Sequence, residues 1–218
     1  MTGLERFLDT FFNMTVIVRY LPAIGQGLLV TVSLALLVVV CGTLLGLALA
    51  CLRTYRVKPL SVLIVIFADV MRALPPLVII LIVYFGLPNM GVNLSAFVTI
   101  WLVLSLALAA FAEEIFWAGI LSVPAGQWQA ARSTGLGFGG TLIHVVLPQA
   151  VRLTIAPLTN RAIAITKSTA LGMVIGLPDI LGQATTAQSF SGNASPLTVA
   201  AVVYTLLFLP IVIASRWI

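Results

Sequence analysis

Five ionisable side chains interrupt long apolar runs of this 218-residue chain: Asp69, Arg72, Glu113, Glu114 and Lys167. Charges inside a bilayer are costly, and those that persist mark a polar path or pair with one another. Asp69 and Arg72 stand three apart and share a helix face, so a self-neutralised pair is one reading. The other is a site for a zwitterion. Arg72 and Lys167 would then border a midplane cavity and face the ligand's carboxylate, leaving Glu113 or Glu114 for its ammonium group or a basic side chain. Adjacent helical residues point about 100° apart, so only one of these two glutamates is expected to face such a cavity. Pro75-Pro76 lie just past Arg72 and free backbone carbonyls, which implies either a simple kink or the interrupted helix of a binding site. Covalent chemistry has little support. The single histidine, His144, has no second His and no nearby Cys, so neither a metal set nor a Ser-His pair is expected. Asp69 and Asp179 belong to opposite depths, and no Gly-x4-Gly-Lys-Ser/Thr phosphate loop occurs, so energy must come from another polypeptide.

These residues need elements to hold them, and composition states the class. Hydrophobic residues make up 61% of the chain and charged ones 8%, a balance that a soluble domain of this size could not tolerate on its surface. Five segments reach the roughly 20 apolar residues of a membrane span: 26–52, 60–87, 94–121, 152–177 and 196–217. None alternates like a barrel strand, so the expected fold class is all-α integral membrane with five transmembrane helices. Residues 1–25 are set apart as an arm, with apolar Leu4, Phe7, Leu8, Phe11 and Phe12 at helical spacing around Glu5, Arg6 and Asp9. The expectation is an amphipathic helix lying on the membrane, the alternative a frayed terminus. It lacks a basic n-region with a small-residue cleavage site, so no removed signal peptide is expected. Residues 26–218 form the membrane domain. Cys41 and Cys51 are ten apart, roughly 15 Å along one helix, too far to bond to each other.

The net charge of +5 does not indicate nucleic acid, because the basic residues are scattered singly and flank apolar runs. They read as topology signals. Arg53, Arg56 and Lys58 put the first connection inside; 88–93 carries no charge and falls outside. The segment 122–150 with Arg132, and Arg152 and Arg161 beyond it, is then inside, 178–195 outside, and Arg216 inside. An N-out, C-in arrangement satisfies every connection, and no internal repeat is visible.

The inside segment 122–150, SVPAGQWQAARSTGLGFGGTLIHVVLPQA, is a Gly- and Gln-rich polar island. Gln127 to Ser133 forms a short helical piece, with small Ala130 and Ala131 admitting a partner surface and Gln127, Gln129 and Arg132 at its rim. Gly135 can take the left-handed turn that ends such a helix. An ordinary punctuated loop is the alternative. The spacing Gln129-Ala130-Ala131, three residues, Gly135, nine residues, Val145, one residue, Leu147-Pro148 resembles the "EAA" loop of binding-protein-dependent ABC importer permeases, the family's contact with its ATPase. The likeness extends over nearly the whole chain and is closest to the polar amino acid branch of type I importers. Met71-Arg72-Ala73-Leu74-Pro75 is similar to that branch's Arg-Gly-Thr-Pro element, the Glu113 to Ile120 run to its Ala-Glu-Ile-x-Arg-x-Gly-Ile, and Thr166 to Leu171 to its Leu-Lys-x-Thr-Ser-Leu. Gln129 replaces the usual Glu, Trp117 stands where Arg is common, and Glu113 is an extra carboxylate.

The resemblance implies a permease subunit in a bacterial inner membrane, moving a polar amino acid. It implies two ATP-binding subunits that carry ATP and Mg, a second permease subunit that is a copy or a relative, and a soluble substrate-binding protein. Lipid surrounds the chain, and no cofactor is expected in it. The ATPase is expected to grip Gln127, Gln129, Ala130, Ala131, Arg132 and Gly135. The substrate path would draw on Asp69, Arg72, Glu113, Glu114, Lys167, Ser168 and Thr169, with Glu114 at the family position supporting the coupling region and Glu113 the candidate for the cavity. A secondary carrier or channel for small polar solutes is the alternative, and the island argues against it.

Overall fold

The computed structural model describes residues 2–217; the side chain of Arg216, counted above as an inside charge, lies outside the described set. Ten α-helices account for most of these residues: α1 Gly3–Phe12, α2 Met14–Thr54, α3 Lys58–Ala73, α4 Pro76–Gly86, α5 Ala96–Ser122, α6 Ala125–Ser133, α7 Phe138–Thr141, α8 Leu147–Lys167, α9 Ile180–Ser191 and α10 Ser195–Ala214. Four helical stretches are long and apolar enough to cross a membrane, and the bent pair α3/α4 makes a fifth. The all-α, five-span reading therefore holds, although several boundaries move.

The helix that carries the first span begins before Gln26. Helix α2 runs unbroken from Met14 through Pro22, because a proline inside a long apolar helix is tolerated where neighbours satisfy the freed carbonyl. Asn13 starts it, its side chain accepting from the N–H groups of Thr15 and Val16. What precedes is the short α1, closed by a Thr2/Glu5 capping box, with Leu4, Phe7, Leu8, Phe11 and Phe12 all exposed. Its end is tied to the start of α10: Ala194 N–H donates to the Thr10 carbonyl at 3.0 Å, Asn193 Nδ2 to the Asp9 carbonyl at 2.8 Å, and Asn13 N–H to Ser195 Oγ at 2.9 Å.

The second span is broken more sharply than a kink. Helices α3 and α4 meet at Leu74-Pro75-Pro76 with a bend of 101°. Leu74 and Pro75 are both extended, as a residue before proline must be, and two consecutive prolines leave no way to carry the helix through. The 178–195 connection also departs from expectation. Pro178 is followed by the twelve-residue helix α9, capped by the Asp179 side chain and ended by Gly192 at φ +62°. Ile180, Ala184 and Ala187 face inward from it.

The central helices α2 and α5 pack through small residues. A Cβ added at Gly42 would lie 2.8 Å from Leu108 Cβ, and one at Gly46 2.5 Å from Ala112 Cβ and 2.8 Å from the Ala109 carbonyl oxygen. Gly42, Gly46 and Ala50 recur every four residues, the spacing that lets two backbones approach in a bilayer. Three apolar clusters stack along the molecule. Leu34, Val38, Ile80, Leu104 and Leu108 form the middle one. Ala50, Phe116, Ile120, Val146 and Ala150 lie towards α6, and Ile24, Ile180, Ala184 and Ala200 towards α9.

Candidate functional site

The charged residues of the expected path separate into distinct places. Arg72, near the end of α3, bridges two carboxylates: its guanidinium is 2.5 Å from Asp69 Oδ1 one turn back and is paired with Glu114 on α5. The expected Asp69–Arg72 pair is thus present, but it is part of a triad with two negative charges against one positive. Asp69 and Glu114 are more than half exposed, so the triad opens outward from this chain.

Glu113 has the opposite fate. It is fully buried and accepts from Arg53 Nη1 at 3.0 and 3.3 Å, and the Arg53 guanidinium lies 4.5 Å over the Trp117 ring. Glu113, the residue expected to face a cavity, is therefore sealed within the chain, and Glu114 is the one on the open face. The physical cause is helix phase: Gly46 draws α2 against this turn of α5, and Glu113, beside Ala112 on that contact, is sealed beneath it. Glu114, the next residue, is swung about 100° round to the open face.

Lys167 ends α8, exposed, with Nζ 5.8 Å over the Phe208 ring. It borders a cavity of about 500 Å3 with Ala170, Tyr204 and Thr205, a lining that does not include Arg72. Past Lys167 the chain tightens into a 3-10 helix, Ser168–Ile175. Thr169 is wholly buried there and donates to the Thr166 carbonyl, while half-buried Ser168 donates to that of Ala164 at 3.4 Å. Thr169 is accordingly a packing residue in this chain, because the tighter coil turns its hydroxyl back onto its own backbone. Sequence reasoning passed over Arg53, and over Arg161, whose guanidinium sits 3.8 Å over the Phe111 ring. Each reads in the sequence as an orientation signal; Arg53, at a span end, has a stem long enough to reach inward, and Arg161 lies within α8.

The polar island does contain a helix, α6, beginning at Ala125. Gln127, Gln129, Ala130 and Arg132 are exposed along it, while Trp128 and Ala131 turn inward. Trp128 stacks on Phe138 with ring centroids 5.3 Å apart, and Phe138 meets Tyr55 at 5.1 Å, which seats α6 against the ends of α2 and α5. Ala131 is buried against its own chain, so of the two alanines only Ala130 is free to receive a partner: residues three apart on a helix share a face, and Ala131 follows Trp128. Gly135 has φ +91°, the left-handed turn expected of it. The helix resumes at α7 and passes into α8 through a π-helical turn, Leu142–Val146, whose closing bond runs from Leu147 N–H to the Leu142 carbonyl. In a regular helix the Pro148 ring would clash with the His144 carbonyl, and the wider turn relieves that.

A bundle of five apolar spans, one broken at prolines beside a buried-to-open charge cluster, with a short amphipathic helix seated at one end, defines a multi-pass membrane permease. Residues 42–218 match the family described as binding-protein-dependent transport system inner membrane component, and the chain belongs to that family. It is 33% identical over 177 residues to a probable glutamine ABC transporter permease protein, GlnP, of Bacillus subtilis (strain 168), covering 81% of each. It is 32% identical over 191 residues to the arginine transport system permease protein ArtQ of the same organism, covering 87% of each. Among solved structures, "Crystal structure of an amino acid ABC transporter with histidines" matches with a TM-score of 0.83 and 32% identity, covering 92% of this chain and 94% of that one.

Proposed function

We propose that this permease subunit imports a polar amino acid, driven by ATP hydrolysed on partner subunits. The observation that carries the reading is α6: a helix anchored by Trp128 and Phe138, with Gln127, Gln129, Ala130 and Arg132 left facing outward. A motor protein can push on such a helix, because its seat transmits force to α2 and α5 as a rigid body. Two ATP-binding subunits, holding ATP and Mg, grip the two α6 helices of a permease pair, and a soluble binding protein delivers the solute at the opposite face. The α6 end lies in the cytoplasm and the α1 end outside, as the basic residues Arg53, Arg56, Lys58 and Arg132 favour. The second permease is a copy or a relative of this chain.

The Asp69–Arg72–Glu114 triad supports the substrate class. It opens on the surface that a second subunit would cover, beside the 101° break where α3 and α4 leave backbone groups unbonded. Arg72 suits a carboxylate, and the two carboxylates suit an ammonium group together with a basic or amide side chain. The related permeases named for glutamine and arginine fit that chemistry. The test is reconstitution of the chain with its co-purifying subunits and binding protein in liposomes. Uptake of radiolabelled arginine or glutamine should require ATP, and Glu114→Gln should lower the rate about tenfold through loss of a charge-assisted bond. Uptake by this chain alone without ATP would establish the carrier alternative instead.

A further inference from the structure

Two cavities meet at the α6 end of the bundle. One, of about 650 Å3, lies between Tyr55, Trp128, Phe138 and Leu121. The other, of about 530 Å3, is bordered by Lys58, Ser61 and Val62. Arg56 and Trp117 line both, so the two form one groove across the turn between α2 and α3. Arg56 makes that turn with φ +56°, a region uncommon for a residue with a side chain, and it brings Arg56 and Lys58 to the same cavity.

The cations of this groove are not equivalent. Arg53 is taken up by Glu113 and the Trp117 ring. Arg56 and Lys58 are exposed, and neither has an ion pair or side-chain hydrogen bond with any described residue. The chain's six carboxylates are all placed elsewhere. Glu5 and Asp9 belong to α1, Asp69 and Glu114 hold Arg72, Glu113 holds Arg53, and Asp179 caps α9. No carboxylate side chain among the described residues is left to complement Arg56 and Lys58, so the groove offers its charge to another molecule. The groove lies where two spans end, a depth favoured by Trp and Tyr rings. It runs out along the membrane surface over Val62 and Leu121, each more than half exposed.

We propose that this groove holds one anionic phospholipid, its phosphate between Arg56 and Lys58, its glycerol region against Trp117, and its acyl chains along Val62 and Leu121. Unpaired cations above exposed aliphatic side chains match a headgroup carried on hydrocarbon, whereas a soluble anion would gain nothing from the aliphatic part. The lipid would bear on α6 through Trp128, so membrane composition would tune the seat of the coupling helix. The inference rests on the groove alone and stands whether or not the transport reading holds.

The test is lipid retention. The full chain, purified with whatever subunits accompany it, is placed in nanodiscs of phosphatidylcholine with a minor share of phosphatidylglycerol, re-extracted, and weighed by native mass spectrometry. Phosphatidylglycerol should be retained in preference to phosphatidylcholine. Arg56→Gln combined with Lys58→Gln should lower its retention roughly 25-fold, since each cation near an anionic lipid contributes about fivefold. Arg152→Gln, the same charge change as Lys58→Gln but on an exposed residue outside the groove, should leave it unchanged. If the double variant aggregates, Lys58→Gln alone should still show the fivefold loss. Equal retention of the two lipids would overturn the proposal. So would an Arg152→Gln loss as large as the double variant's, which would indicate diffuse attraction. Displacement by soluble glycerol phosphate would assign the groove to a free anion. Loss of an accompanying subunit with lipid retention intact would assign it to a protein surface.

Discussion

The adjacent residues Glu113 and Glu114 show how one helical step separates a sealed carboxylate from an open one. Glu113 is sealed and Arg53, with 23% of its side chain exposed, is its partner, so removing either leaves a charge uncompensated at a site largely shut off from water. Such losses cost about 3–5 kcal/mol. Glu113→Ala is therefore expected to lower the thermal midpoint of the detergent-purified protein sharply, while Glu113→Leu with Arg53→Met should recover much of the loss, because a well-packed apolar pair replaces the ionic one. Equal midpoints for Glu113→Ala and the wild type would count against the pair. Composition announced that charges lie in the spans, but which glutamate is sealed depends on the phase at which α2 meets α5. The Gly46 contact sets that phase, and no single segment carries it.

At the scale of elements, close packing of α2 on α5 holds the centre of the molecule. Gly46→Val would drive a branched side chain into the Ala109 carbonyl and Ala112, and over-packing of this kind costs at least about 2 kcal/mol. Gly86→Val, at a position with nothing within 4 Å of an added Cβ, is the matched control. Size-exclusion profiles and thermal midpoints should show the first variant impaired and the second near wild type. Helix α9 was present in the sequence as Asp179 at one end, Gly192 at the other, and Ile180, Ala184 and Ala187 at helical spacing between them. Its many Gln, Thr and Ser residues lowered its hydropathy below that of a span, so the caps went unread. The helix of the first span extends back past Pro22 and Gly25, which resemble punctuation, because in an apolar setting the chain has no better option than to continue its helix.

For the whole molecule, the seat of α6 joins membrane packing to the surface where the proposed ATPase would dock. Ala130 faces outward, so Ala130→Glu should leave the chain folded and inserted while reducing co-purification of an ATP-binding subunit. Ala131→Glu places a carboxylate against the chain's own packed interior, and its first effect should be loss of stability, at a cost of several kcal/mol. Pull-downs and thermal midpoints measured side by side separate the two. Loss of stability in Ala130→Glu, or none in Ala131→Glu, would mean that α6 is turned the other way. At the far end, α1 is bonded to the start of α10 through Thr10, Asp9 and Asn13. The N-terminal helix is therefore fastened at that face to the turn that opens the last span.

The sequence by itself determined the class of this protein. Apolar runs of span length allow only helices in a bilayer, and the spacing from Gln129 to Pro148 pointed to the family. It also located Gly135, because only a residue without a Cβ turns left-handed at no steric cost. Tertiary structure alone decided which side chains meet. The rotation of α5 against α2 buried Glu113 and opened Glu114, the stacking of Trp128 on Phe138 turned Ala131 inward, and the 101° break set Arg72 between two carboxylates. Each outcome depends on a relative rotation or approach of helices distant in sequence, which the periodicity of any one helix does not encode.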